Sequence, residues 1–220
     1  MKKLTLLVFI ILISSGVLLA QHPAPSGLDF TLLSWNSVEL TWNEPVMPFD
    51  GYEDFEGGII PPDFTVYDVN GGSTWGILGD GNGYNSDKCI ACLYESSVAP
   101  NDDWFVSPPL AVTGTSQFNF WAGNFDASYG EEEFNVLINT TGPDPTNFVD
   151  NPVLYYKFDA GSVYWDEFTV DLSGYAGQTI WIAIQCISDY MWYLKVDDYT
   201  VTDMADGKGD FHLLANEKNT

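Results

Sequence analysis

The chain contains no arginine, and seven lysines stand against 31 aspartates and glutamates, a formal net charge of −24. A surface this acidic repels phosphate backbones, which argues against nucleic acid as a partner. Anionic lipid is repelled in the same way. Histidine is scarce too: the two residues, His22 and His212, lie near the two ends. A Ser-His-Asp or Cys-His arrangement, or a zinc site built on imidazole, would need one of them drawn into a cleft. There is no phosphate-cradling glycine loop and no G-x-S-x-G. Carboxylates are so abundant that no pair stands out for glycoside hydrolysis. The expectation is a protein that is not an enzyme.

Long apolar runs are missing after the first twenty residues. Before that, Lys2 and Lys3 precede an apolar run from Leu4 to about Ile13 and then "SSGVLLA". Basic, apolar and small residues in that order form a secretory signal peptide over 1–20, cut after Ala20. The alternative is a single N-terminal anchor helix, for which the apolar core is short. No cysteine stands near the cut, which argues against a lipid-anchored form. The expected location is secreted or at the cell surface, with no membrane insertion after cleavage. About 200 residues remain, enough for one large all-β domain or for one domain with a small appendage. The acidic excess attracts cations, and hard cations prefer oxygen ligands. Solubility alone is the other reading of the charge.

Three cysteines are present, Cys89, Cys92 and Cys186. "CIAC" has redox or zinc spacing, but no second pair and no βαβ pattern accompany it. Strand alternation sends Cys89 and Cys92 to opposite faces, so those two do not pair. Either one of them bridges to Cys186 in an exported protein, or all three are buried thiols.

What is abundant is apolar and aromatic: hydrophobic residues make up 45% and aromatics 15%. That is too rich for disorder. Residues 21–51 read as a lead-in with a truncated strand pair. "APSGLDFTLLSWNSVELTWNEP" resembles the opening of a fibronectin type III module whose remainder is missing. From Tyr52 onward, turn clusters such as "NGGSTWG", "GDGNGYNSD" and "TTGPDPTN" separate about ten short strands. Phe118 and Phe120 alternate, as do Phe134, Val136 and Ile138, and Ile180, Ile182 and Ile184. No segment reads as an amphipathic helix. The pattern predicts an all-β fold, a two-sheet antiparallel jelly-roll sandwich over 52–202. Residues 203–220 read as a polar tail.

One strand carries an irregularity. In "WYLKVDDYTV" the residues Trp192, Leu194 and Val196 fall on even positions, whereas Tyr199 and Val201 fall on odd ones. A single extra residue turns every later side chain to the other face. The slip at Asp197 and Asp198 therefore predicts a β-bulge, which would aim a carboxylate at a metal ion. The stretch "YEDFEGG" offers partners: Phe55 points inward, and Asp54 and Glu56 share the opposite face. "YDVNGGSTWG" adds Asp68 and Asn70, and "NDDWFVSPPL" adds Asp102 and Asp103. A solvated acidic edge that discourages strand-to-strand aggregation is the competing reading.

"DFEGG", the "D…GG…WG" turn, "NDDWFVSPPL", "FNFWAG", "EEEFNVLINT", "EFTVDLSGYAGQTIWIAIQ" and "LKVDDYTV" occur in this order. Together they resemble the cleaved-adhesin domain of the gingipain and haemagglutinin proteins over residues 52–202. The choice-of-anchor type of extracellular module is equally similar. The resemblance implies a jelly roll related in shape to MAM domains and carbohydrate-binding modules. It also implies structural calcium and a role in adhesion. Carried over, its metal residues are Glu56 and Asp197, with Asp198 beside the latter. Asp68 and Asp103 are the loop candidates that would complete the site. The aspartate-rich turn of the family is here "DVNGGS", so a second calcium there would be weaker or absent. The stretch "DGNGYNSD" at 80–87 fails the EF-hand pattern, because Tyr84 replaces an oxygen ligand and Ala91 stands where the glutamate belongs. It reads as a turn.

Trp104, Trp121 and Trp181 sit in apolar strands and read as core. Trp165, Tyr190, Trp192 and Tyr129, with Phe125, are the candidates for ligand contact. The leading expectation is a calcium-stabilised module adhering to extracellular proteins or glycans. A carbohydrate-binding module, or a ligand-free spacer of a larger exported surface assembly, are the alternatives.

Overall fold

The structure is a computed structural model, which describes residues 26–34, 37–43, 49–94, 100–148 and 152–205. The proposed signal peptide, most of the tail and His22 and His212 lie outside the described residues. The chain divides into two units, 1–48 and 49–220. In the first, β1 (Ser26–Ser34) and β2 (Ser37–Asn43) pair antiparallel, with a register shift at each end.

The second unit holds the remaining strands described. They are β3 (Tyr52–Glu53), β4 (Thr65–Asp68), β5 (Trp75–Leu78) and β6 (Cys89–Leu93). Next come β7 (Asp103–Val106), β8 (Leu110–Asn124), β9 (Glu133–Asn139) and β10 (Leu154–Lys157). Finally there are β11 (Trp165–Asp171), β12 (Thr179–Cys186) and β13 (Tyr193–Met204). One sheet runs β5-β6-β13-β8-β11, with β3 added to the far half of β13. The other runs β4-β7-β12-β9-β10. Every pairing is antiparallel. The alternation of β6-β13-β8-β11 with β7-β12-β9-β10 is the jelly-roll order of two Greek keys. At one corner Thr179 and Ile180 of β12 pair with Ala111 and Leu110 of β8, so the sandwich closes towards a barrel there.

The predicted alternations decide which side chains meet between the sheets. Phe118, Phe120, Phe134, Val136, Ile180, Ile182 and Ile184 all enter one core. Aromatic rings fill it: Phe64 stacks on Phe105 at 4.8 Å, and Tyr199 meets Phe64 edge-on at 5.2 Å. Truncating one such buried ring to alanine costs about 3–5 kcal/mol. The domain starts earlier than residue 52, because Phe49 packs on Phe64 and its amide donates to Asp63 Oδ2 at 2.6 Å. It also ends later than residue 202, because Met204 is buried.

The same parity corrects the tryptophans expected in the core. Trp104 and Trp181 lie on the outer face of the second sheet. There they form a satellite cluster with Val106, Leu137 and Ala183 under Phe148. Trp121 lies between the inward Phe120 and Ala122 and therefore points outward.

Candidate functional site

The irregular strand β13 is the place to start. Leu194 and Val196 are buried inward, and so are Tyr199 and Val201, which completes the change from even to odd positions. Its partner β8 advances by two residues, from Trp121 to Asn119, while β13 advances by three, from Asp197 to Thr200. The extra residue is a β-bulge. Asp198 takes the turn with φ +49°, a left-handed conformation that aspartate tolerates better than most residues. The bulge parts the two carboxylates. Asp198 Oδ1 accepts from the Tyr52 hydroxyl at 2.7 Å, while Asp197 meets a different segment.

That segment is the loop 79–88, which the sequence presents only as a turn. Asp197 Oδ2 accepts the Tyr84 amide at 2.7 Å and the Ser86 hydroxyl at 3.0 Å. Its Oδ1 accepts the Asp198 amide at 2.8 Å. Tyr84 then lays its ring on Trp121 at 3.7 Å and 12°, covering the outer face of the first sheet. The loop needs Gly83 for this approach. A Cβ there would stand 2.0 Å from Ser86 Oγ, 2.3 Å from the Lys88 carbonyl and 3.0 Å from Asp197 Oδ2. Three oxygens thus converge over the bare backbone of Gly83. Asp197 is fully buried, and burial pushes its pKa up to about 7 despite the donors from Tyr84, Asp198 and Ser86 that pull it down.

Glu56 reaches the same loop at Lys88. Phe55 enters the core with φ +56°, a strained conformation for a bulky residue, and turns the chain so that Glu56 faces back. Glu56 Oε1 accepts the Lys88 amide at 2.5 Å, and Oε2 lies 4.0 Å from Lys88 Nζ. The two carboxylates expected together therefore both hold the 84–88 segment. The donors are all oxygen, the kind a calcium ion takes six to eight of. Among the described residues no three Asp, Glu, Cys or His side chains gather in metal-ligand geometry. A cation here would draw on the Lys88 carbonyl and Ser86 hydroxyl besides Asp197 and Glu56.

The two loop candidates lie elsewhere. Asp68 and Asp103 pair with each other on β4 and β7, in the second sheet. Asp68 is exposed and caps its glycine turn by accepting the Gly71 amide at 2.5 Å. Asp103 is buried inward, accepting from Asn101 Nδ2 at 2.7 Å, with Cys92 Sγ at 3.8 Å. Sequence spacing said nothing about which sheet each strand would join, and that assignment separates them from Glu56.

A second feature is aromatic. Trp192, Tyr190 and Tyr129, expected separately, join one run of ring contacts with Tyr94, which is not among the sequence candidates. Trp192 stacks on Tyr94 at 5.4 Å and on Tyr129 at 5.6 Å, and Tyr190 meets Tyr94 edge-on at 6.2 Å. Tyr129 is 48% exposed and Tyr190 56%. Tyr129 ends the helical turn Ala127–Tyr129, whose cap Asp126 accepts the Ser128 amide at 2.7 Å. Phe125 joins through Tyr193 at 5.2 Å, which in turn packs against Trp192. Beneath lies Glu132, buried, with Oε1 lacking a hydrogen-bond partner. Burial raises its pKa to about 7, although Ser188 and the Trp192 amide bond to it and pull the other way. Trp165 stands apart from this group. It carries Lys195 Nζ at 4.5 Å over its ring and meets Tyr84 edge-on at 6.1 Å.

Comparison with known proteins completes the description. The profile of the Cleaved Adhesin Domain family matches residues 49–201. A Lys-gingipain of Porphyromonas gingivalis is 27% identical over a 208-residue alignment that covers 84% of this chain and 11% of that protein. Hemagglutinin A of the same organism is also 27% identical, over 84% of this chain and 9% of its own length. The chain thus spans about a tenth of the curated relatives it matches. Among solved structures, a cleaved adhesin domain of Lys-gingipain from P. gingivalis superposes with a TM-score of 0.61 at 26% identity. That match covers 69% of this chain and 96% of that domain. Another domain of Lys-gingipain from P. gingivalis gives 0.58 at 27% identity, over 69% and 97%.

Proposed function

Because this chain belongs to the cleaved adhesin domain family, we propose that it is a non-catalytic adhesion module, secreted or displayed at the cell surface, that recognises extracellular proteins or glycans. The observation that carries the proposal is the partly exposed aromatic group of Tyr94, Trp192, Tyr129 and Tyr190. Rings of this kind supply large contact area at low entropic cost, and they dominate binding energy where they occur in interfaces. The test is binding of the full chain to panels of matrix proteins, blood-cell surface proteins and glycans. Trp192→Ala combined with Tyr129→Ala should weaken binding at least tenfold while leaving Tm within a few degrees. Unchanged binding by this variant would remove the aromatic surface from the reading. Sugar binding in titration with soluble polysaccharides would select the carbohydrate-binding form. Absence of any partner across the panels would favour a ligand-free spacer.

Calcium is proposed as a structural ion held by Glu56 and Asp197 with the Lys88 carbonyl and the Ser86 hydroxyl. When bound, it would supply positive charge to a buried carboxylate and fasten the loop 79–88 to β13. A ligand that binds only the folded chain raises Tm by mass action. Calcium at 100 times its Kd should add about 2.7 kcal/mol relative to EDTA, or roughly 5–10 °C. Glu56→Gln and Asp197→Asn should each lose the response. No response in the metal-stripped parent would leave Asp197 as a purely hydrogen-bonded anchor.

A further inference from the structure

We propose that Cys92 and Cys186 form a disulfide between the two sheets, with Cys89 left as the single free thiol. The structure separates three thiols that the sequence could not. Cys92 lies on the inner face of β6, in the first sheet, and Cys186 on the inner face of β12, in the second. Both enter the same core and are buried. Asp103, whose carboxylate lies 3.8 Å from Cys92 Sγ, is the cross-strand partner of Cys186, which brings the two thiols to the same spot between the sheets. Cys89 lies on the opposite face of β6, where its Sγ approaches the Asn82 carbonyl at 3.4 Å. The sheet itself keeps it from both.

The surroundings of the pair are polar for a core. Asn101 Nδ2 lies 3.6 Å from Cys92 Sγ, Asp103 Oδ2 lies 3.8 Å away, and Cys186 Sγ is 3.5 Å from Ser188 Oγ. Asn101 can go on donating to a disulfide sulfur, whereas the two bonds that the thiols themselves donate, to Asp103 and Ser188, are given up when the bridge forms. In the bridging step each thiol gives up its proton and the sulfurs join. The two electrons pass to an oxidant of the disulfide class, which leaves as two thiols. The attacking species is a thiolate. Burial, then the neighbouring Cys186 and the carboxylates of Asp103 and Glu132, push the Cys92 pKa well above the usual thiol range. The folded chain is therefore slow to oxidise, and the bridge forms while the chain folds. Location outside the cell, part of the function proposed above, would supply the oxidising surroundings. The test supplies them independently of location.

The full chain is unfolded in reductant and refolded in a mixture of reduced and oxidised glutathione. Remaining thiols are then alkylated in denaturant and the peptides mapped by mass spectrometry. The expected product has lost two hydrogens, carries one alkyl group, on Cys89, and yields a linked Cys92–Cys186 peptide. Its Tm should exceed that of the reduced chain by roughly 5–15 °C, since the bridge closes a loop of roughly ninety residues. Cys89→Ser should keep the bridge, whereas Cys92→Ser and Cys186→Ser should each abolish it. Oxidant added after folding should act far more slowly than oxidant present during it. The same mapping on chain exported to a bacterial periplasm serves where refolding from denaturant fails. Three alkylated cysteines in the oxidatively folded chain, or a bridge that includes Cys89, would overturn the proposal.

Discussion

Asp197 and Glu132 are both buried carboxyls whose pKa burial raises to about 7, yet their surroundings differ. Asp197 has donors on both oxygens, from the amides of Tyr84 and Asp198 and the hydroxyl of Ser86. Glu132 leaves Oε1 without a partner. Hydrogen bonds at Asp197 lower the cost of its charge but do not cancel desolvation, which still decides where the group titrates. What they do add is structure: Asp197 organises a loop through donors on both oxygens, whereas Glu132 bonds Ser188 and the Trp192 amide and leaves Oε1 buried without a partner. Removing the first should cost much, and neutralising the second should help.

Four substitutions would break or sharpen that contrast. Asp197→Ala leaves three donors without their acceptor and should cost about 3–5 kcal/mol, visible in urea unfolding. An effect within 0.5 kcal/mol would mean that the loop holds without its anchor. Gly83→Ala should cost about 1–3 kcal/mol, since the new methyl meets the Lys88 carbonyl, which is backbone and cannot swing aside. Tyr84→Ala should cost about 1–2 kcal/mol by uncovering Trp121, with a red shift of tryptophan fluorescence as its signature. Glu132→Gln should have the smallest effect and the opposite sign, raising Tm by roughly 2–5 °C at pH 8.

The pH dependence follows from the same pair. A carboxyl whose folded pKa is raised binds its proton more tightly when folded. The contribution of Asp197 and Glu132 is therefore fully present below the ordinary carboxylate range near 4. It is lost as pH rises through about 7. In EDTA the Tm should climb as pH falls from 8 to 5. Glu132→Gln should flatten part of that slope, and a Tm that instead falls over this range would show other groups in control.

Much of this was legible in the sequence, and the reason is parity. The alternations show which side chains enter the core, and the slip at Asp197 and Asp198 announces a bulge. The same arithmetic could have turned Trp121 outward, since Phe120 beside it already faced in. Other features needed three dimensions. Asp68 and Asp103 were grouped with Glu56 because they stood in glycine-rich, acidic stretches, and only the sheet assignment parted them. The loop 79–88 was read by its failed calcium pattern. Its contribution lies in an amide, a carbonyl and a bare Cα at Gly83, none of which a side-chain motif records. Tyr94 gave no signal of its own, because its partners lie far along the chain at Tyr190 and Trp192.

The position of β13 has a consequence for the order of events during synthesis. Among the described residues it is the last strand of the sandwich in sequence, yet it lies between β6 and β8 and also carries β3. Until residues 193–204 have left the ribosome, β6 and β8 have no neighbour to join them and the first sheet stays in two pieces. Vectorial growth thus delivers this central strand after the strands it joins, and the first sheet is expected to close only after its chain is made. A nascent chain truncated at Asp189 should stay protease-sensitive along its whole length, held apart in the meantime by the mutual repulsion of its carboxylates.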